Sequence, residues 1–212
     1  IMGTLKVDNL QKRDGTALIT DGAASTNLLS QAALRSAGVG MIKLFSSTSS
    51  SGVATFDIDS TIINSTYDNY KIIAGYTHVT DNVGANIRFF VGGSIKEADY
   101  SYENAAGTSS TYGYDAYDAT TMQVGGSSGN NQTGLNETHT LNFDLTNVNS
   151  TSVATRIHGY SYTGATNANT VGRFFQGGQD VDSVGDVVNG IRIYMGGGNI
   201  IMQNFVIYGL VK

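Results

Sequence analysis

The chain has 212 residues, a net charge of −5 and only 14% charged residues, against roughly 25% in an ordinary soluble domain. That balance argues against non-specific nucleic-acid binding, which needs clustered Lys and Arg. The absence of Cys excludes disulfides and thiolate metal sites, and no apolar run approaches the ~20 residues of a membrane span, so membrane insertion is not expected. Pro and Trp are absent too. Gly, Asn and Asp must therefore make the turns, and the largest ring for stacking on sugars is missing. Nothing at the start reads as a signal peptide, so an ordinary secretion route is not expected.

In chain order, Leu5, Val7 and Leu10 form a first short strand, Asp14-Gly15 is a hairpin dipeptide, and Ala17 to Ile19 returns. A two-stranded hairpin is marginal alone, so this one calls for support from a neighbouring chain or a larger assembly. Residues 25–38, STNLLSQAALRSAG, read as a helix capped by Ser25 or Thr26 and ended by Gly38. Leu28 stacks with Ala32 and Leu29 with Ala33, while Leu34 falls on another face. The helix is apolar nearly all round and too short to stand alone. It packs either on the rest of the chain or on identical helices around a symmetry axis, and the apolar excess favours the axis. Residues 1–40 thus read as a hairpin-helix anchoring and oligomerisation segment, and residues 41–212 as a separate β domain.

That domain opens with a strand at Met41–Phe45 and a low-complexity loop at Ser46–Gly52. Ala54, Phe56 and Ile58 then alternate with Thr55 and Asp57, the period of a half-buried strand. Tyr70–Val79, Ala85–Val91, a Tyr-rich stretch from Tyr100 to Tyr117, Thr138–Leu145, Val153–Tyr162 and Gly172–Gln176 follow as strands between turn residues. In Thr138–Leu145, Leu141, Phe143 and Leu145 point in, and Asn142 and Asp144 point out. The closing pair, Gly190–Met195 and Ile200–Val211, flanks a Gly196-Gly197-Gly198-Asn199 turn. Eight to ten short strands at regular intervals give an all-β fold, a jelly-roll-like β-sandwich carrying the short N-terminal hairpin and helix; strand order is left open. The last strand is apolar on both faces, with Phe205 and Ile207 on one and Val206, Tyr208 and Leu210 on the other. Such a strand must be covered on both sides. Leu28, Leu29, Leu34, Val206, Tyr208 and Leu210 are therefore the candidate oligomer interface.

Arg88-Phe-Phe-Val-Gly-Gly93 recurs as Arg173-Phe-Phe-Gln-Gly-Gly178 and more loosely as Arg192-Ile-Tyr-Met-Gly-Gly197. Gly75-Tyr76-Thr77 and Gly159-Tyr160-Ser161 precede the first two at similar distances. Each copy reads as a strand with an aromatic pair ending in a glycine turn. Its Arg lies beside a ring or pairs with a carboxylate, and the duplication predicts two related hairpins facing each other across the sandwich.

The Arg88–Gly93 run, with residues 59–72 (DSTIINSTYDNYKI), the closing GIRIYMGGGNIIMQNFVIYGL and the N-terminal LKVDNLQKRDGTALIT, resembles tail-fibre-like virion proteins of marine and cyanobacterial bacteriophages. In that family a C-terminal β module ends in a Tyr-Gly-containing strand. The resemblance implies a non-enzymatic, homotrimeric part of the virion, engaged in host attachment and joined to other virion proteins through residues 1–40. It carries over no catalytic or cofactor-binding residue. The length fits a short tail fibre or a fibre tip. A capsid or tail decoration or cement protein, and a secreted lectin-like carbohydrate-binding module, are the alternatives.

The histidines and carboxylates also point to a non-enzyme without cofactors. His78, His139 and His158 each sit in an alternating strand with no nucleophile or carboxylate at a known spacing. Asp57 and Asp59 form one acidic pair and Asp180, Asp182 and Asp186 a second cluster. Neither has a calcium-loop spacing; solvated turn acids are the preferred reading, with Asp180 and Asp182 the candidate metal ligands. Tyr100, Tyr102, Tyr112, Tyr114 and Tyr117 interleave with Asp99, Glu103, Asp115 and Asp118. Tyrosine joins an apolar ring to a polar tip at low entropic cost, which makes these five the candidate contacts to a host-surface glycan or protein. A cross-strand tyrosine ladder is the competing structural reading.

Overall fold

The structure, a computed structural model, describes residues 10–11, 17–20, 23–24, 40–49, 51–78, 83–106, 114–125, 139–163 and 171–210. The chain divides into two compact units, residues 1–42 with 211–212 and residues 43–210. In the first, β1 (Leu10–Gln11), β2 (Ala17–Thr20) and β3 (Ala23–Ala24) form a small antiparallel sheet in which Ile19 pairs with Leu10 and with Ala24. The hairpin expected around Asp14-Gly15 is thus the β1–β2 pair, with a third strand added. The helix expected at residues 25–38, with Leu28, Leu29 and Leu34, lies outside the described residues.

The second unit is a sandwich of two antiparallel sheets. The larger contains β4 (Met41–Ser47), β6 (Asn69–His78), β9 (Tyr100–Ala106), β10 (Tyr114–Ala119), β12 (His139–Thr146), β13 (Arg156–Thr163), β14 (Val171–Gln179) and β16 (Ile200–Leu210), in the order β10-β9-β14-β13-β12-β6-β16-β4. The smaller contains β5 (Thr55–Ile58), β7 (Ala85–Val91), β11 (Met122–Gln123) and β15 (Val188–Met195) in the order β11-β7-β15-β5, with β8 (Ser94–Ile95) paired to β7. Four pairs are nested in sequence: β6 with β16, β7 with β15, β9 with β14 and β12 with β13. This is an antiparallel ribbon rolled on itself, as in a jelly roll. Three of the four pairs share one sheet, so the strands divide unevenly and the larger sheet is unusually broad.

Alternation decides what fills the space between the sheets. Leu141, Phe143 and Leu145 of β12, Ile157 of β13, Phe175 of β14, and Phe205 and Ile207 of β16 are buried against Ile87, Phe89, Ile191 and Ile193 of the smaller sheet. On the outer side of β16, Val206, Tyr208 and Leu210 are half-buried. The Tyr-Gly pair near the end of this strand has a packing role: a β-carbon on Gly209 would lie 2.6–2.7 Å from the ring atoms of buried Tyr67. That ring in turn meets Tyr70 edge-on at 5.9 Å.

At one end of β12, His139 is buried against Tyr76 (stacked, 5.2 Å) and His78 (4.8 Å). Burial, and secondarily the neighbouring His78, lower the His139 pKa to about 4.

Two stability predictions result. Gly209→Ala forces the Tyr67 ring aside and is expected to cost about 1–3 kcal/mol, read as a lower denaturant midpoint; an unchanged midpoint would show that the ring has room to move. In the unfolded chain His139 takes up its proton near pH 6.5, whereas the folded chain resists until about pH 4. Its contribution is therefore complete above pH 6.5 and is lost as pH falls towards 4, by up to about 3 kcal/mol. The stability curve of His139→Phe should lack that slope between pH 6.5 and 4.

Candidate functional site

Every inward residue of the larger sheet's central strands has an outward neighbour, and the register lines these up in rows across the strands. One row is Val206–Ile73–Asn142–Tyr160–Phe174–Ala105, running from β16 through β6, β12, β13 and β14 to β9. The next is Tyr208–Lys71–Asp144–His158–Gln176–Glu103. A mainly apolar row thus lies beside a mainly polar one. Within the first, Phe174 is 72% exposed and Tyr160 46%, and Asn142 Nδ2 donates to the Tyr160 hydroxyl at 2.8 Å, holding the ring.

The polar row is tied together pairwise. Lys71 Nζ lies 3.1 Å from Asp144 Oδ1, and His158 Nε2 lies 3.3 Å from Asp144 Oδ2. Gln176 Nε2 donates to Glu103 Oε2 at 2.8 Å. Around these side chains the broad sheet forms an open groove of about 450 Å³, lined by Lys71, Glu103, Asn142, Asp144, Tyr160 and Phe174 among others. A second hollow of about 420 Å³ continues it over Glu103, His158 and Gln176 to Tyr102, Tyr117 and Arg156. Arg156 is itself held by the Gln179 carbonyl, at 2.6 Å from Nη1.

The five tyrosines singled out from the sequence are divided by the pleat. Tyr100 is fully buried: its hydroxyl accepts from the Phe89 amide at 2.7 Å and donates to the Lys96 carbonyl at 2.9 Å. It is a core residue, and the reading of Tyr100 as a receptor contact is corrected on that ground. Tyr102 is half-buried, packs against the core and lines the second hollow. Tyr117 is 75% exposed at the far end of that hollow. A register shift between Ala116 and Ala119, with Asp118 at φ 52°, turns the chain there; such bulges re-aim a side chain beside a site. Tyr114 lies in β10, its side chain outside the described residues, and Tyr112 is outside them altogether.

The acidic candidates are engaged or solvated. Asp180 caps a 3₁₀ turn at Val181–Ser183, its carboxylate accepting from the Val181 amide at 2.6 Å. That bond leads the causes that lower its pKa. Asp182 is exposed, and Asp186 pairs with Lys96 at 3.0 Å. Asp57 grips Arg192 in a two-pronged pair at 2.6 and 2.7 Å, while Asp59 holds the Thr61 amide and hydroxyl. Among the described residues no group of three or more His, Cys, Asp or Glu is arranged to hold a metal ion.

The repeated Arg-aromatic runs resolve into two kinds. Arg88 lies 5.4 Å from the Tyr194 ring and pairs with Glu97 at 3.1 Å; Arg192 lies 5.6 Å from the Phe90 ring. These two copies pair side by side on the outside of the smaller sheet, Arg192 opposite Arg88, with the ring and carboxylate partners expected of them. The Arg173 copy differs. Arg173 is half-buried, its Nη1 donating to Asn104 Oδ1 at 3.0 Å, and burial lowers its pKa. In β7 the first Phe of the pair, Phe89, is buried; in β14 it is the second, Phe175, and Phe174 faces out. The two hairpins expected to face each other are also unlike. β13 and β14 pair within one sheet, whereas β6 and β7 lie in opposite sheets. The inverted phase is what exposes Phe174, and no local feature of the Phe-Phe doublet announces it.

No protein-family model matches the chain, and no curated protein matches it.

Removing the buried hydroxyl in Tyr100→Phe leaves the Phe89 amide unpartnered and is expected to cost about 1–3 kcal/mol of stability. Phe174→Ala, on the open face, should stay within about 0.5 kcal/mol of the parent. Chemical denaturation of the two variants checks the contrast, and a destabilised Phe174→Ala would make that ring a structural residue.

Proposed function

We propose that the chain is a non-enzymatic attachment module of a bacteriophage particle, a short tail fibre or fibre tip that meets the host surface through the outer face of its larger sheet. The sequence resemblance to tail-fibre-like virion proteins supports the setting. The observation that carries the role is the row of exposed rings, Tyr160 and Phe174, standing in an open groove beside a hydrogen-bonding row. Large exposed apolar surfaces rimmed by polar groups mark interaction sites.

In this reading residues 1–40 join the module to other virion proteins. The half-buried Val206, Tyr208 and Leu210 contribute to contacts between copies in a homotrimer, since homo-oligomers close by rotation. A secreted lectin-like module is the second reading, favoured by the groove taken alone. It shares the binding face and differs in needing no assembly.

The purified chain is expected to run as three copies in light scattering, to adsorb to cells of the bacterium the virus infects, and to compete with virus particles for them. Adsorption should fall at least tenfold in Phe174→Ala. A stable monomer that adsorbs would favour the lectin-like reading, and a trimer that does not adsorb would leave a decoration or cement protein.

A further inference from the structure

We propose that the groove over β9, β14, β13 and β12 binds a neutral oligosaccharide, with Phe174 and Tyr160 as the stacking platform and the Glu103–Gln176 and Asp144–His158 pairs as its hydrogen-bonding wall. The inference rests on the attachment reading above and names the chemistry of what is attached.

The position of the groove narrows the ligand. It lies over the middle of a sheet, where the backbone groups of β9, β14, β13 and β12 are paired with neighbouring strands. A peptide adding itself as a further strand needs an open edge, so over these four strands the ligand is read by side chains. An amphipathic helix needs a continuous apolar trough, but here the row beside Tyr160 and Phe174 is Asp144, His158, Gln176 and Glu103. A pyranose suits this pairing. Its C–H face lies on an aromatic ring, and its hydroxyls, each both donor and acceptor, reach a rim of carboxylate, amide and imidazole.

Charge narrows it further. Of the two Lys and Arg side chains lining the groove, Lys71 is paired with Asp144 at 3.1 Å, and Arg156, at the far end, holds the Gln179 carbonyl at 2.6 Å. They are matched by Glu103 and Asp144, and the whole chain carries −5. Around Phe174 and Tyr160 a uronate, a sulfated sugar or a phosphorylated chain would bring negative charge beside Glu103 and Asp144, where the one lysine, Lys71, is already paired. A neutral sugar incurs no such cost.

The groove also has length. From Tyr160 to Arg156 along β13 is four residues, about 13 Å, with Phe174 and Tyr160 at one end and Tyr117 at the other. It holds a short segment of a chain rather than one terminal sugar.

The test is affinity electrophoresis of the full chain through gels containing neutral glucan, galactan, mannan or rhamnan, and through gels containing polygalacturonate as the anionic control. Phe174→Ala, Tyr160→Ala and, as an exposed control away from the groove, Val181→Ala are run alongside. At least one neutral polymer should retard the parent and Val181→Ala equally, with apparent affinity reduced tenfold or more in Phe174→Ala and Tyr160→Ala, and polygalacturonate should retard neither. The proposal is overturned if no neutral polymer retards the chain, if both ring variants are retarded like the parent, or if polygalacturonate binds best. It is also overturned if Phe174→Ala splits an oligomer in light scattering, which would make the groove itself a contact between copies. Should the chain adsorb to cells through Phe174 yet ignore every neutral polymer, the ligand class fails and the attachment reading stands. Retardation without any adsorption to cells gives the converse.

Discussion

The phase of the pleat in β12, β13 and β14 is the constraint on which the groove depends. Leu141, Phe143, Leu145, Ile157 and Phe175 are buried between the sheets, and each deletion of such a side chain would cost several kcal/mol. With those residues committed inward, their neighbours Asn142, Asp144, His158, Phe174 and Gln176 have no choice but to face out. A slip of one residue would exchange the two sets entirely. The groove is therefore the reverse side of the core, held in place by burial to which its own residues contribute little.

The uneven division of strands gives that face its extent. Three of the four nested pairs lie in one sheet, and a broad sheet carries the right-handed twist of its strands across its whole width. Twist and coiling leave a hollow where a narrow sheet would present only a ridge. At its far end the irregular pairing of β10 turns Tyr117 outward. The same breadth keeps Tyr160 and Phe174 away from the sheet edges, so that recognition around them falls to side chains.

How much of this was legible in the sequence depends on the range of the interaction. Alternation is local, and it placed Leu141, Phe143 and Leu145 inside, where they are found. The ring and carboxylate partners of Arg88 and Arg192 were legible for a similar reason, because an outward Arg on an aromatic-rich strand has few other ways to shed its solvation. The rows were not. Asn142 meets Tyr160 across 18 residues and Gln176 meets Glu103 across 73, and only strand order brings them together. The Tyr-rich stretch pointed to the right neighbourhood but not the right rings. Tyr100 and Tyr117 share a composition signal while the pleat and the bulge send one to the core and the other to solvent.

The two faces of the sandwich use similar chemistry to opposite ends. On the smaller sheet, Arg192 is locked onto Asp57 and lies near Phe90, and Arg88 lies near Tyr194; cation and ring cover one another. On the larger sheet, Lys71 and His158 converge on Asp144 while Phe174 is left mostly bare. Exposed ion pairs of this kind add at most about 1 kcal/mol, and a bare ring adds nothing to the core, so stability does not account for the arrangement. What it secures is order: a carboxylate held by two neighbours and a Tyr160 ring held by Asn142 lose little freedom when something binds them. A surface that is already arranged, uncovered and concave is what a ligand would require of it, and the covered face opposite shows that this sequence can close such a surface where none is needed.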